Sequence, residues 1–284
     1  MIASINKTKE ILNKYNLHAK KGFGQNFLIN SSIVKRIVSE AGIDKTIGVI
    51  EIGPGIGSLT EELAKCSNRV LCYEIDHDMV KILEENLSFD NIKIIEKDFL
   101  KADIKEDIKY FEGLEEIKVV SNLPYYITTP IIFKLLELDL DINDFYFMVQ
   151  KEVGERFTGT PKTKDYNSLT VAINFQAEAN IKFNVSRESF YPNPNVDSVI
   201  INVKKVKKDY SVNNKANFLK FVQNIFLLRR KTLVNNISSA YGISKSEIGE
   251  KLKENGFLES VRSEELTIED IVKLYKIFRS KDEN

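Results

Sequence analysis

"GVIEIGPGIGSLTEELA", residues 48–64, joins a β-branched apolar run to a segment whose apolar residues recur at helical spacing. Gly53, Gly55 and Gly57 fall at the join. Glycine there lets the backbone turn sharply and approach a ligand closely. Glu74 stands 21 residues after Gly53, at the end of the next apolar run. A carboxylate at that point can accept both hydroxyls of a ribose. For the glycines alone a bare tight turn is the alternative; the acid at the next strand end counts against it.

Working outward, residues 48–52, 70–75, 92–96, 117–121 and 145–149 are short apolar runs rich in β-branched and aromatic residues. They suit strands buried on both faces. Segments with helical spacing separate them, and strand–helix alternation predicts a parallel sheet with right-handed crossovers. After residue 166 the pattern changes. NSLTVAINFQAEA (167–179) reads as a helix. IKFNVS (181–186) and DSVIINVKKV (197–206) read as two strands able to join the sheet edge. GERFTGTPKTKDYNS (154–168) has the composition of a mobile lid, and KKVKKDYSVNN (204–214) that of a linker. Beyond it only helical periodicity remains, including one run from 217 to 237. Two domains are expected: a catalytic α/β domain over 1–208 and a small all-helical domain over 209–284.

The 284 residues are 43% hydrophobic and 29% charged, a composition that can bury a core. Lys+Arg and Asp+Glu both number 41, so the chain is not basic throughout. Charge is unevenly spread, however: residues 1–36 hold seven Lys or Arg against one acid, and residues 207–284 fifteen against eleven. Basic ends around an acidic middle suit a polyanion gripped outside a catalytic cleft; solvated lysine-rich helix faces are the alternative. The two cysteines, Cys66 and Cys72, have neither metal nor disulfide spacing. No apolar stretch approaches a membrane span, and MIASINKTKE lacks the apolar core of a signal peptide. A cytoplasmic protein without a metal is expected.

The glycine spacing separates cofactors. A dinucleotide fingerprint reads G-x-G-x-x-G, whereas here the third glycine comes one residue early, Pro54 stiffens the turn and Glu51 precedes it. E-x-G-x-G-x-G resembles motif I of the class I S-adenosylmethionine-dependent methyltransferases, which implies a Rossmann-like fold. On that resemblance Asp98, after the third run, can accept a hydrogen bond from the cofactor's adenine amine; a turn cap is the alternative. The fourth run ends in SNLPYYITTP (121–130). Gly53, Glu74, Asp98 and Asn122 thus all fall at strand carboxyl ends, where open α/β sheets bind ligands.

An exocyclic adenine amine is a poor nucleophile because its lone pair is delocalised into the ring. A site that methylates it should accept its N–H hydrogens. The Asn122 side chain can accept one and the Leu123 or Pro124 carbonyl another, while Tyr125 can stack on the base. Acceptors aimed where positive charge develops are preorganised stabilisation. No strong base is needed, since the alkylated nitrogen loses its proton to water. Asn122-Leu123-Pro124-Tyr125 resembles motif IV of amino-group methyltransferases, and leucine in second place is similar to the rRNA adenine N6-dimethyltransferases.

That resemblance covers most of the chain. KKGFGQNFLIN (20–30) resembles the family's N-terminal signature, which implies cofactor contacts at Gln25, Asn26 and Leu28. FYPNPNVDSVIINV (190–203) resembles its F-x-P-x-P-x-V-D-S motif, which implies that Phe190 takes the second face of a flipped adenine; without the family, Phe190 reads as a core aromatic. IFLLRRKTLVNNI (225–237) resembles the small-subunit (16S) branch, the KsgA/RsmA type, rather than the Erm type that modifies large-subunit rRNA. Arg229, Arg230 and Lys231 are then candidate phosphate contacts, with a solvated helix turn as the alternative. The resemblance implies S-adenosylmethionine as cofactor, 16S rRNA in the small ribosomal subunit as partner, and a monomer that dimethylates two adjacent adenosines. A ribosome-assembly factor whose methylation is secondary is the reading from another class.

Overall fold

The computed structural model describes residues 1–17 and 26–278. An N-terminal arm holds α1 (Ile5–Lys14), β1 (Phe27–Leu28) and α2 (Ser31–Glu40). The alternation then runs β2 (Ile47–Ile52), α3 (Thr60–Cys66), β3 (Arg69–Glu74), α4 (His77–Asn86), β4 (Ile92–Glu96), α5 (Ile104–Asp107), β5 (Glu116–Asn122), α6 (Thr128–Glu137) and β6 (Asp144–Gln150). Next come α7 (Lys151–Phe157), α8 (Ser168–Asn174), β7 (Ala177–Val185), β8 (Phe190–Tyr191) and β9 (Ser198–Lys205). The chain ends in α9 (Lys215–Ile225), α10 (Leu233–Tyr241), α11 (Lys245–Glu254) and α12 (Ile268–Phe278).

Seven strands form one sheet in the order β4-β3-β2-β5-β6-β9-β7. β4 through β6 pair parallel, and β9 joins β6 antiparallel. All six residues of β2 are buried. That is why its run is apolar without alternation: helices cover both faces of a parallel sheet. β1 and β8 form a separate antiparallel pair, Leu28 opposite Phe190. The expected α/β class with a mostly parallel sheet is therefore present, and its five expected strands lie where the apolar runs do.

The chain divides into two compact units, residues 1–154 with 180–205, and residues 155–179 with 206–284. The second takes in 155–179, so it is not the contiguous 209–284 expected. Its core gathers Phe218, Phe221, Ile225, Leu233, Ile248 and Leu274, among others. Phe218 meets Phe175 at 4.5 Å and Tyr275 at 5.5 Å between ring centroids.

Three local expectations need correction. The helix expected over 167–179 stops at Asn174, and β7 begins at Ala177. Ala-Glu-Ala favours a helix locally, but a place in the sheet overrides propensity of a few tenths of a kcal/mol. The helical run over 217–237 is two helices, α9 and α10, with a turn at 226–232. Asn236 secures that turn by accepting from the Leu228 N–H at 2.9 Å. The segment read as a mobile lid begins inside α7, and the rest is fastened. The Lys162 N–H donates to the Glu264 carbonyl at 2.7 Å, and the buried Tyr166 hydroxyl donates to the Leu266 carbonyl at 2.8 Å.

Candidate active site

β2 and β5 are neighbours in the sheet but not in sequence, and the strand order reverses between them. Such a switch point opens a crevice at the strand carboxyl ends. The β2–β5 ladder ends at Ile50 opposite Val119. Beyond it the Ser121 hydroxyl accepts from the Ile52 N–H at 3.3 Å and donates to the Ile52 carbonyl. One side chain thus satisfies backbone groups that the separating strands leave over. A cleft of about 230 Å³ opens there.

Its lining includes Asn26, Leu28, Gly53, Gly55, Glu74, Asp98, Asn122, Leu123, Pro124 and Tyr125. Gln25 lies outside the described residues. Five separated stretches of sequence therefore converge here, and four of them, at 53–55, 74, 98 and 122–125, do so because each ends a strand of the main sheet or starts the turn after one. Gly53 has φ +68°, a left-handed backbone that favours glycine, and the turn packs against the Pro124 ring.

Glu74 is held before any ligand arrives. One carboxylate oxygen accepts from the Ile75 and Asp76 N–H groups at 2.9 Å each, and the other from the Gly55 N–H at 3.1 Å. Burial pushes its pKa up, while these backbone donors hold it down. Asp98 has the capping role, and it also borders the cleft. Its side chain caps the turn by accepting from the Leu100 N–H at 2.9 Å, and it lines the cleft. Glu51, fully buried under the glycine turn, has its pKa pushed up to about 8, chiefly by burial and further by the Glu74 charge. The Ser58 hydroxyl in the same wall is buried and has no hydrogen-bond partner among the described residues.

In the motif after β5 the structure separates two acceptors that sequence left open. The Pro124 carbonyl accepts from the Ile127 N–H at 3.2 Å and the Thr128 hydroxyl at 3.1 Å. Both of its lone pairs are used in closing the turn into α6. The Leu123 carbonyl is therefore the candidate second acceptor beside Asn122. Tyr125 is half-buried, and its hydroxyl meets that of Ser198 at 2.7 Å. Tyr126 also lines the cleft and is 54% exposed.

Phe190 is a correction. It is not part of the cleft lining; its side chain is fully buried in the cluster that holds Leu28, Val34 and Ile37. Burying a phenylalanine gains about 1.5–3 kcal/mol, so as placed it is a core aromatic and presents no face to a base. Arg229, Arg230 and Lys231 are exposed in the turn between α9 and α10, not on a helix face. The Arg229 guanidinium donates to the Lys164 carbonyl.

Several site residues escaped the sequence reading. Lys134 of α6 donates to the Phe99, Leu100 and Ala102 carbonyls at 2.9, 2.9 and 3.1 Å, so it holds the turn that Asp98 caps. Ser121 acts through a partner 69 residues away, and Ser198, the serine that ends the F-x-P-x-P-x-V-D-S stretch, through one 73 residues away, a contact the motif did not announce. Among the described residues no group of His, Cys, Asp or Glu is placed to hold a metal, and no helix is long and apolar enough to cross a membrane.

The sequence pattern of the ribosomal RNA adenine dimethylases matches residues 16–280. The chain belongs to that family. It is 44% identical over 279 residues to the ribosomal RNA small subunit methyltransferase A of Macrococcus caseolyticus, covering 96% of this chain and 94% of that protein. Among solved structures it is similar to a dimethyladenosine transferase from Plasmodium falciparum, with TM-score 0.72, 26% identity and coverage of 89% and 97%. It is also similar to the 23S rRNA methyltransferase ErmE, with TM-score 0.64, 26% identity and coverage of 88% and 98%. This dimethylase carries its glycine turn, strand-end acids and Asn-Leu-Pro-Tyr in one cleft.

Proposed function

We propose that this dimethylase transfers methyl groups from S-adenosylmethionine to N6 of two adjacent adenosines in the 3′-terminal hairpin of 16S rRNA. The observation that carries the reading is the position of Asn122-Leu123-Pro124-Tyr125 at the end of β5, in one cleft with Gly53, Glu74 and Asp98. Identity of 44% along nearly the whole chain to a small-subunit enzyme supports the 16S branch over the large-subunit one. A substrate on the small ribosomal subunit puts the reaction in the cytoplasm.

The residues present fit the cofactor. Glu74 is oriented for a ribose, Asp98 for an adenine amine, and Asn26 and Leu28 border the same cleft; the buried, unpartnered Ser58 hydroxyl marks its wall as one that expects a polar ligand. Carboxylates at the rim favour a positively charged guest. When bound, the cofactor supplies an electrophilic methyl group.

The chain's own residues do the remainder. A target adenine leaves its stack, which costs least in a hairpin loop. Tyr125 offers the face on which it stacks. Asn122 and the Leu123 carbonyl accept its two N–H hydrogens and direct the lone pair toward the cleft. A second transfer works on an amine with one N–H left, so one acceptor then suffices. The exposed Arg229, Arg230 and Lys231 bind phosphates.

The test is methyl transfer from labelled S-adenosylmethionine to undermethylated small subunits, with free large-subunit rRNA in parallel. Label in N6,N6-dimethyladenosine from the small subunit alone is expected. Label in the large-subunit RNA alone would move the protein to the other branch.

A further inference from the structure

We propose that Ser198 is a positioning residue for methyl transfer, holding the long axis of the Tyr125 ring on which the target base stacks. The inference rests on the proposed reading of Tyr125, and nothing in the motif's spacing assigns Ser198 a role.

The two partners differ in how firmly they are placed. Ser198 is fully buried at the start of β9, opposite Gln150 of β6 in the antiparallel ladder. One residue earlier the Asp197 carbonyl accepts from the Lys151 N–H at 3.0 Å. The same strand β6 places Met148 opposite Asn122, and its Met148 carbonyl accepts from the Leu123 N–H at 3.2 Å. Ser198 and Asn122 are therefore registered on one backbone lattice. Tyr125, by contrast, lies in the turn between β5 and α6, and no ladder holds its side chain.

The 2.7 Å contact between the two hydroxyls ties the free end of that ring to the lattice. A phenol oxygen lies on the ring's rotation axis, so anchoring it fixes the axis direction. Its bonding directions lie in the ring plane, so the same bond biases the tilt. A stacking face held in register with Asn122 presents the base amine to its acceptors repeatedly in one geometry, and misplacement by about an ångström is costly to a transfer step. Burial raises the Tyr125 pKa, so the ring stays neutral and able to donate or accept.

The experiment compares wild type, Ser198→Ala, Tyr125→Phe and the double variant on undermethylated small subunits. Direct S-adenosylmethionine binding and thermal melting are measured for each. Each single change removes one hydroxyl and leaves both the stacking ring and the apolar packing. Each is expected to lower kcat about five- to tenfold, the weight of one net hydrogen bond, with cofactor Kd unchanged. The double variant should be no slower than either single, because both remove the same bond. Ser198→Thr, which keeps the hydroxyl, should recover most of the rate. Wild-type kcat in Ser198→Ala, or a double variant slowed by the product of the two single factors, would overturn the proposal. So would a loss in Ser198→Ala that follows its melting temperature or cofactor affinity alone. Failure of wild type itself on small-subunit RNA would remove the functional reading, and this inference with it.

Discussion

Asn122 is the residue whose loss should separate binding from chemistry. In the proposed mechanism its amide oxygen stabilises charge that appears on nitrogen only as the new bond forms. Asn122→Ala should therefore lower kcat by about a hundredfold or more, the effect of removing one preorganised hydrogen-bonding group. Cofactor affinity should fall less than about tenfold; equal losses in both would make Asn122 only a binding residue. Glu51 makes a prediction about stability. Its folded pKa of about 8 lies above the ordinary 4.5, so between these values the unfolded chain has released a proton that the folded chain still holds. The stability this group contributes is full below about pH 4.5 and is lost as pH rises through about 8. Glu51→Gln mimics the protonated form. Its melting temperature should therefore gain on wild type steadily from pH 5 to 8, by thermal melts in matched buffers.

Elements carry the site by what joins them. α6 starts where Asn-Leu-Pro-Tyr ends, and its Lys134 reaches the turn that Asp98 caps. Lys134→Met keeps the apolar stem and leaves three carbonyls without their donor. Melting temperature should drop by several degrees, as expected for about 1–3 kcal/mol. S-adenosylmethionine binding by calorimetry should weaken with it; unchanged affinity would confine Lys134 to stability. The glycine turn is equally tied to its surroundings. Gly57 has φ +89°, and a Cβ there would stand 3.0 Å from the ends of Leu83 and Leu87. Gly57→Ala should cost about 1–3 kcal/mol in denaturant melts, from backbone strain and crowding of α4 together.

At the scale of the whole molecule, charge divides the work. The net charge is zero, yet an acidic cleft and an exposed Arg229-Arg230-Lys231 turn occupy different compact units. RNA affinity should follow the second. Replacing the three cations with alanine should weaken small-subunit RNA binding and reduce the slope of log affinity against log salt by about two to three. S-adenosylmethionine binding should not change. An unaltered salt slope would place the phosphate contacts elsewhere.

Local chemistry was readable where one residue type had one reason to be present. Apolar runs without alternation meant strands covered on both faces, the three glycines meant a left-handed turn after a strand, and Glu74, Asp98 and Asn122 stood at or just beyond strand ends. The fold class and the gathering of these residues at strand ends follow because periodicity and turn chemistry act over a few positions, whereas the cofactor and the catalytic stretch rest on the resemblance to motifs I and IV. What only the tertiary structure decided depends on partners far away in the chain. Ala-Glu-Ala at 177–179 became sheet because an edge beside β9 was available. Phe190 went into the core because Leu28 lay opposite. The Pro124 carbonyl was consumed by the turn into α6, leaving Leu123, and Tyr125 found its anchor in Ser198, 73 residues on. Such choices belong to packing and to hydrogen-bond satisfaction, which are set only once the sheet has brought distant segments together.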